Sequence, residues 1–524
     1  MALAGPKHTH DVLIVGGGHN GLVAACYLAK AGHGVCLLER HTEVGGAAFT
    51  QEIAPGFHLS EGSYVLSLMP RKILDELGVA ADIHLIGRDP RFFMPFPDGR
   101  SLTAWEDHDR FIAEISAFSR KDARNYPRYD AFVERAAAIY DRYLLSQPPS
   151  FAEFAANFTS TEDARVFQRM ILGSAADVAE YFFESEQMQA VACAFGIVGT
   201  FRGPRDAGTA FVKLFHSTGM VTGKRGQWAY VRGAMGAVSQ ALKRRALSLG
   251  VEIRTSCEVD RICTAAGRVT GAVAASGEEF HAPVVLSNAD PVRTYLGLVD
   301  RAHLPSDFVE DIEAIQITSP VMKINLALDE LPRYTAAADD PRRAHTGGVF
   351  IAPSIDAMQR AYEEARAGRP SDHPIYSVHT QSAVDPTVAP PGKATLSLFT
   401  QYFPYDLAEG TWDQRREDIA DAAIERFAEY APNIRDTVIA RQVLAPPDIE
   451  ARFGLTGGHI FQGEVVPEQM FDLRPVPGSK EYEGPIHGLY LCGAGAWPGG
   501  CVSGAPGHNA AHEAIAKLAA GAYR

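Results

Sequence analysis

Apolar runs and glycine-rich turns alternate at the amino-terminal end of the chain in a pattern that predicts a β-α-β unit. Residues 11–15 (DVLIV) are almost entirely apolar, which is typical of a strand buried on both faces. Small and apolar residues then recur at helical spacing up to residue 31, and residues 35–38 (VCLL) predict a second buried strand. This order of elements is the start of a Rossmann-type α/β fold.

The turn between the first strand and the helix has the glycine spacing of a dinucleotide-binding site. Gly16 permits the tight turn, Gly18 lets the backbone approach a pyrophosphate, and Gly21 lets the helix pack close to the strand. His19 and Asn20 lie between these glycines, and we count them among the cofactor contacts. The amino terminus of the helix supplies free N–H groups and a partial positive charge for phosphate.

An acidic residue ends the second predicted strand. Glu39 lies 18 residues after Gly21, where a carboxylate accepts hydrogen bonds from a ribose diol. Because this residue is acidic rather than basic, a 2′-phosphate is disfavoured, and NADP is the least favoured dinucleotide. NAD and FAD remain as candidates at this point of the chain.

The residues after Glu39 favour FAD. Arg40 is followed by Gly45, Gly46 and Ala47, which resemble the extended motif of FAD-dependent oxidoreductases, where a Gly-Gly pair packs near the flavin side of the cofactor. Two glycines allow close approach of the backbone. Many members of that superfamily carry arginine where this chain has Ala47. In similar folds the backbone near Val259 meets the adenine.

A second glycine-rich stretch lies near the carboxy-terminal end. Residues 488–492 predict a strand, and a helix is predicted from about residue 510 to 520. Four residues between them are further predicted cofactor contacts: Gly493, Gly495, Gly504 and Ala505. In flavoproteins with this pattern the stretch closes over the cofactor. A helix amino terminus there stabilises negative charge on the reduced flavin.

Motifs spread over almost the whole chain resemble the phytoene desaturase family. The similar subgroup includes the retinol saturases and the proteins named for a pyridine nucleotide-disulfide oxidoreductase domain. The motifs are residues 45–48 (GGAA), 63–68 (SYVLSL), 233–236 (GAMG), 456–461 (TGGHIF), 474–475 (RP) and 498–507 (PGGCVSGAPG). The resemblance implies an FAD-dependent oxidoreductase that moves a hydride between the flavin and a hydrophobic, isoprenoid- or carotenoid-like substrate.

Such an enzyme desaturates or saturates a C–C bond. Two alternatives stay open: a flavin amine oxidase acting on a C–N bond, and a flavoprotein whose main role is binding a partner. No acid/base constellation is visible, and the cofactor itself carries the hard chemical step in flavin enzymes. His459 and Tyr64 are the candidate catalytic residues. General grounds favour a satisfied loop histidine for His459, and Tyr64 can either line an apolar tunnel or fill the core.

The order of motifs predicts a discontinuous FAD-binding domain of residues 1–75, 225–290 and 480–524, with an α+β substrate or cap domain of residues 76–224 and 291–479. The first cap segment is helical in pattern, with helices expected at 111–118, 129–145 and 164–183. The second carries expected strands, at 322–328 and 394–401. A proline-rich joint is expected at residues 90–97.

The amino-acid composition limits the classes of partner and site that the chain can have. The chain of 524 residues has 49 Lys and Arg against 63 Asp and Glu, a net charge of −14, so it lacks the basic footprint of a nucleic-acid-binding protein. Its seven cysteines are scattered with no C-x-x-C pair, which favours a reducing compartment and argues against dithiol exchange. His508 and His512 are four residues apart, but no third ligand is evident, so no metal site is predicted.

No leader peptide is visible, and the uncharged stretch of residues 187–201 is too short to span a bilayer. That stretch predicts either a core segment or an interfacial patch. We therefore expect a cytoplasmic protein that takes a hydrophobic small molecule. Peripheral contact with a membrane for substrate access stays open, and the oligomeric state is not predicted.

Overall fold

The computed structural model describes residues 7–523, in which strands and helices are interspersed along the whole chain. The strands are β1 (Lys7–Thr9), β2 (Val12–Val15), β3 (Val35–Leu38), β4 (Thr50–Ala54), β5 (Phe57–Ser60), β6 (Leu85–Ile86), β7 (Phe92–Pro95), β8 (Ser101–Ala104), β9 (Tyr230–Val231), β10 (Glu252–Arg254), β11 (Val259–Ala265), β12 (Arg268–Ala274), β13 (Glu279–His281), β14 (Val284–Ser287), β15 (Val321–Leu328), β16 (Gly348–Ile351), β17 (Ile375–His379), β18 (Ala394–Gln401), β19 (Val438–Leu444) and β20 (Leu489–Leu491). The α-helices are α1 (His19–Lys30), α2 (Arg71–Leu77), α3 (His108–Ser116), α4 (Arg120–Tyr140), α5 (Phe151–Ala155), α6 (Thr161–Val166), α7 (Ala175–Phe182), α8 (Glu186–Ala194), α9 (Thr209–His216), α10 (Gly236–Ser248), α11 (Ser306–Glu313), α12 (Arg342–His345), α13 (Ile355–Arg366), α14 (Trp412–Phe427), α15 (Ile434–Thr437), α16 (Pro446–Phe453) and α17 (Ala505–Ala519).

A five-stranded parallel sheet has the order β10-β3-β2-β14-β20. Every residue of β2, β3 and β14 is buried, which explains their unbroken apolar sequences. Helix α1 connects β2 to β3 and packs against α10 and α17. The strands come from three separate parts of the chain, and the predicted α/β class with a Rossmann-type unit is confirmed. A smaller sheet of order β1-β13-β12-β11 and two strand pairs, β4-β5 and β6-β9, accompany it.

The second large sheet has seven strands in the order β19-β15-β18-β17-β16-β7-β8. Its neighbours run antiparallel except β7 and β16, which are parallel. The central strands β15 and β18 are buried along their whole length. Helices α3, α4, α6, α7, α8 and α9 pack on one another in the first intervening segment. This sheet takes β7 and β8 from the first intervening segment and its other five strands from the second.

Several element boundaries differ from the sequence prediction. Helix α17 begins five residues earlier than expected, because Gly504 takes a left-handed conformation as its cap and Pro506 lies in its first turn, where proline is tolerated. Helix α4 likewise begins nine residues early and contains Pro127. The helix expected at 164–183 is broken by a π-turn, and α7 restarts at a capping box on Ser174. The expected joint at 90–97 instead contains β7, which pairs with β16.

The uncharged stretch of residues 187–201 belongs to the core. It forms most of α8 and the loop that follows, and none of its side chains is exposed. The expectation of an interfacial patch is therefore wrong for this stretch, since an interfacial patch needs an exposed apolar face. Within residues 7–523, none of the helices combines the length and the apolar character that crossing a bilayer requires.

Candidate active site

A long cavity lies between the carboxyl ends of the parallel strands and the face of the seven-stranded sheet. Val15, Leu38 and Asn288 line it from the first sheet, and Lys323 and His379 line it from the second. The residues that line it extend from the glycine turn after β2 to the face of the seven-stranded sheet.

The glycine turn after β2 forms one end of the cavity. Gly18 is the amino-terminal cap of α1, and the first turn of that helix holds no acidic side chain and no side-chain cap. A Cβ on Gly18 would lie 2.7 Å from Asn288 Nδ2, and one on Gly21 would lie 2.3 Å from the Gly16 carbonyl oxygen. Gly16 and Gly18 line the cavity, whereas Gly21 serves the close packing of helix and turn.

Two polar side chains beside this turn have buried atoms without a partner in the protein. They are Nε2 of His19 and Oδ1 of Asn20, and both residues line the cavity. Burial lowers the pKa of His19 to about 4, so its imidazole is neutral at neutral pH. The free N–H groups at this helix end fit a polyanionic ligand, and the two orphaned side-chain atoms lack a hydrogen-bond partner that a bound ligand can supply.

Glu39 presents a buried carboxylate at the end of β3. Its Oε2 accepts a hydrogen bond of 2.7 Å from the Gly17 N–H, and its Oε1 accepts one of 2.9 Å from the His41 N–H. The residue is only 6% exposed and lines the cavity, and each oxygen keeps a lone pair for a ribose hydroxyl. The residues therefore fit the diol contact that the sequence predicts.

Arg40 lines the cavity but is already engaged with the protein. Its Nη2 donates hydrogen bonds to the carbonyl oxygens of Ala451 and Arg452, at 2.9 and 3.0 Å. Burial, with the nearby Arg293 second, lowers the pKa of the Arg40 guanidinium. The side chain therefore ties the cofactor turn to α16 and positions this wall of the cavity.

The Gly-Gly pair packs directly on the first glycine turn. The Gly45 N–H donates to the Gly17 carbonyl oxygen at 2.9 Å, and a Cβ on Gly46 would lie 3.1 Å from the Gly18 Cα. Gly45 and Gly46 have φ values of +147° and +54°, which favour glycine. Gly46 and Ala47 line the cavity, as does Val259 at the start of β11, while Gly45 lies behind the surface.

The carboxy-terminal glycine stretch supports the cavity from behind. The predicted contacts Gly493, Gly495, Gly504 and Ala505 do not line it, whereas their neighbours Ala494, Cys501 and Val502 do. The Gly495 N–H donates to Gln462 Oε1 at 2.7 Å. A Cβ on Gly493 would lie 2.6 Å from the Asn288 carbonyl oxygen. These glycines are therefore needed for close packing, and the residues between them face the cavity.

Arg474 holds this stretch in place. The buried guanidinium donates to the carbonyl oxygens of Ala494, Phe461 and Glu464, with Nη2 to Ala494 O at 2.7 Å and Nη1 to Glu464 O at 2.9 Å. Burial lowers the pKa of Arg474 to about 10, which leaves it charged at neutral pH. It is a positioning residue for two loops that reach the cavity.

A large part of the cavity lining is apolar. It consists of aliphatic and aromatic side chains that are Phe195, Val198, Trp228, Val321, Phe350, Phe399, Leu444, Ile449, Phe453, Leu455, Ile460 and Phe461. We call this set the apolar arm. Two of its walls, β15 and β18, are completely buried strands, so the arm has a rigid base.

Lys323 and Tyr64 also line the cavity. The Lys323 Nζ donates to the carbonyl oxygens of Ser60 and Gly62, at 2.8 and 2.5 Å, and lies 5.0 Å from the centre of the Tyr64 ring. Burial lowers the pKa of Lys323 to about 7 and raises that of Tyr64. The Tyr64 ring is 4.3 Å from that of His379, whose pKa burial holds well below its ordinary value.

His459 does not line the cavity. It is completely buried, and its Nε2 lies 3.5 Å from Glu464 Oε1. Burial would raise the pKa of Glu464, but His459 and hydrogen bonds from Thr200 and Phe201 together hold it below its ordinary value. The geometry assigns His459 to support of the loop beside the cavity.

Several polar cavity residues escaped the sequence prediction, among them Arg88, Asn288, Lys323 and His379. Asn288 directly follows β14, and a polar residue at the carboxyl end of a parallel strand is a usable signal. Lys323 interrupts the otherwise apolar start of a buried strand, which is a second signal, because lysine is rarely buried without a role. Nothing in the local sequence of Arg88 or His379 distinguishes them.

Comparison with known proteins agrees with this geometry. The family model described as flavin containing amine oxidoreductase matches residues 21–507. The pyridine nucleotide-disulfide oxidoreductase domain-containing protein 2 of Mus musculus is 37% identical, over 98% of this chain and 94% of its own length. The lycopene-forming phytoene desaturase of Pseudescherichia vulneris is 24% identical, over 97% and 98%.

A solved structure shares the fold. The cyclohexylamine oxidase of Brevibacterium oxydans IH-35A superposes with a TM-score of 0.59 at 16% identity, covering 98% of this chain and 100% of its own. The match over nearly all of the chain agrees with the two sheets and the cavity between them. The chain therefore belongs to the family of flavin-containing amine oxidoreductases and is an FAD-dependent oxidoreductase.

Proposed function

We propose that the protein transfers a hydride between FAD and a hydrophobic substrate of isoprenoid or carotenoid type, so that a C–C bond is desaturated or saturated. The observation that carries this proposal is the apolar arm, whose aromatic and aliphatic walls suit a long hydrocarbon. The similarity to a phytoene desaturase supports the same substrate class. In this proposal the discontinuous amino- and carboxy-terminal parts hold the cofactor, and residues 76–224 and 291–479 hold the substrate.

Charge within the cavity supports a neutral substrate over an amine. Arg88 and Lys323 are both buried cations or partial cations that face the cavity. The cavity-lining carboxylate beside Lys323, Glu61, is bound by Arg452 at 2.9 Å and by Gln442 at 2.9 Å. A protonated amine in the arm would meet like charge and find no unengaged carboxylate among these groups, which disfavours it.

When bound, FAD supplies the hydride acceptor or donor. The chain's own residues bind the cofactor and orient the substrate. The glycine turn, with the helix amino terminus at His19, holds the pyrophosphate, and Glu39 holds a ribose. The apolar arm excludes water and aligns the reacting carbons. With a pKa near 7, the Nζ of Lys323 can hold or release a proton beside the reacting end of the cavity.

The test is an anaerobic incubation of the purified yellow protein with polyunsaturated isoprenoids and, separately, with primary and cyclic amines. We expect an isoprenoid to bleach the flavin absorbance and to yield a product changed by one pair of hydrogens, found by mass spectrometry. Starting from chemically reduced protein tests the saturating direction. Bleaching by amines alone, with release of hydrogen peroxide on exposure to air, would contradict the proposal.

A matched pair of leucines adds a control. Leu455→Asn places an amide in the apolar arm, whereas Leu247→Asn changes a leucine on α10 that is 50% exposed. We expect Leu455→Asn to lower kcat/KM for the isoprenoid about tenfold or more, and Leu247→Asn to leave it unchanged. Equal effects would show that the arm does not contact the substrate.

An amine oxidase remains the second candidate. The description of the matching family model and the fold shared with a cyclohexylamine oxidase favour it. In that case the substrate amine must enter as the neutral base. Its turnover should then rise with pH through the pKa of the free amine.

A further inference from the structure

Three side chains of metal-ligand type meet on the carboxy-terminal helix, at a place that does not line the cavity. His508 and His512 are one helical turn apart on α17, and Glu76 comes from α2. One potential ligand atom of each residue lies within 4.8 Å of those of the other two. The sequence shows the two histidines, but only the fold brings in the third ligand.

The tautomer of His508 is set by its neighbours. The Nδ2 of Asn509 lies 2.9–3.0 Å from three oxygen atoms, those of Leu144 O, Ser146 O and Tyr482 Oη, which fixes the orientation of the amide. Its Oδ1 therefore faces the His508 Nδ1 at 2.7 Å, and Nδ1 must carry the proton. A lone pair is left on Nε2.

That lone pair has no partner. The Nε2 of His508 is buried without a hydrogen bond, and the residue is only 5% exposed. A buried imidazole whose other nitrogen donates to an amide oxygen is the arrangement in which histidine ligates a metal ion. An unpaired buried nitrogen is destabilising, so the arrangement calls for a ligand.

Glu76 is oriented in the same manner. The Tyr27 hydroxyl of α1 donates to Glu76 Oε2 at 2.7 Å, which leaves Oε1 available. The Tyr27 ring also packs 5.0 Å from the rings of both histidines. Lys72 Nζ lies 3.8 Å from Oε1, but this side chain is 60% exposed and can turn into solvent.

The set is therefore two imidazoles and one carboxylate, which are ligand types that ions of the zinc class bind.

We propose that Glu76, His508 and His512 bind a divalent transition-metal ion of the zinc class, with water in the fourth position. In tetrahedral zinc sites with bonds of about 2.0–2.1 Å, neighbouring ligand atoms are about 3.4 Å apart. The three ligand atoms, which lie within 4.8 Å of one another, must therefore approach by up to about 1.4 Å. Rotation of the half-buried Glu76 side chain and the exposed His512 side chain allows this. The ion would clamp α2 to α17, the helix that follows the carboxy-terminal glycine stretch.

The experiment uses the flavin-loaded protein without a polyhistidine tag, stripped with a chelator and titrated with Zn²⁺ in a calorimeter. We expect one equivalent of zinc per chain, confirmed by elemental analysis after gel filtration. His512→Ala and Glu76→Gln should each weaken binding at least tenfold. His508 is left intact because it lies close to the first turn of α17.

Two further variants make the result specific. His373→Ala removes an exposed histidine in the loop before β17, and this variant should bind zinc as the parent does. Tyr27→Phe keeps all three ligands but loses the bond that orients Glu76, and should weaken binding about 10- to 100-fold. FAD content and circular dichroism show that each variant is folded. No zinc binding by the parent, or equal affinity in the parent and in His512→Ala, would overturn the proposal.

Discussion

Replacement of Gly18 by alanine tests the cofactor turn at its tightest point. An added Cβ would lie 2.7 Å from Asn288 Nδ2, about 0.7 Å inside the 3.4 Å at which ordinary contacts begin. Gly18 has φ −68°, so alanine adds no backbone strain, and the effect comes from space alone. Overpacking of this size costs about 1–3 kcal/mol of folding stability. We expect a similar cost where the methyl group meets the bound pyrophosphate, which weakens FAD binding about 5- to 150-fold.

The assay is titration of the flavin-free protein with FAD, followed by quenching of flavin fluorescence. The double variant Gly18→Ala/Asn288→Ala separates two explanations. Removing the Asn288 side chain relieves the internal clash, and thermal stability should recover, because the bond from Asn288 Nδ2 to the Gly16 carbonyl is long, at 3.3 Å. FAD affinity should stay low, since the methyl group still occupies the space of the pyrophosphate. Full affinity in the double variant would refute this explanation of Gly18.

Three further changes test other parts of the site. Glu39→Gln removes the charge but keeps the shape, and should cost FAD binding about 1.5–3 kcal/mol by calorimetry; unchanged affinity would show that the ribose is held elsewhere. Lys323 has its pKa lowered by burial to about 7, so between about pH 7 and 10 the unfolded chain binds a proton that the folded chain lacks, and this residue's contribution makes stability rise with pH in that window. Lys323→Met should flatten that rise in urea denaturation at a series of pH values, and an identical pH slope would contradict the shift. His459→Asn should lower stability by about 1–3 kcal/mol in thermal unfolding while KM stays constant, because His459 supports Glu464 and does not line the cavity; a lost kcat at unchanged stability would restore its catalytic role.

The cofactor end of the site is predictable because backbone geometry builds it. Gly16 and Gly18 shape a turn that few other residues permit, and Glu39 follows at a spacing set by one helix and one strand. Such local constraints leave a pattern in the sequence. Gly493 and Gly495 illustrate the limit of that pattern, since close packing against Asn288 and Pro291 explains them without a cavity contact.

The substrate end is not predictable in the same way. Lys323, His379 and Arg88 meet only because strands and loops distant in sequence come together at the seven-stranded sheet. No short spacing relates them, and each local sequence agrees equally with a core position. The predicted start of α17 is wrong for a different reason. Gly504, Pro506 and Gly507 favour a turn locally. However, Gly507 lies against the Asn20 carbonyl, where only a residue without Cβ fits. Packing against α1 therefore overrides local preference.

A crystal structure of the flavin-loaded protein soaked with a polyunsaturated isoprenoid tests the central claim most directly. The account predicts FAD extended from the Gly16–Gly21 turn, with a ribose on Glu39, and the hydrocarbon in the apolar arm beside Lys323 and Tyr64. FAD bound away from the Glu39 carboxylate, or an apolar arm closed by its own side chains with the isoprenoid elsewhere, would contradict it.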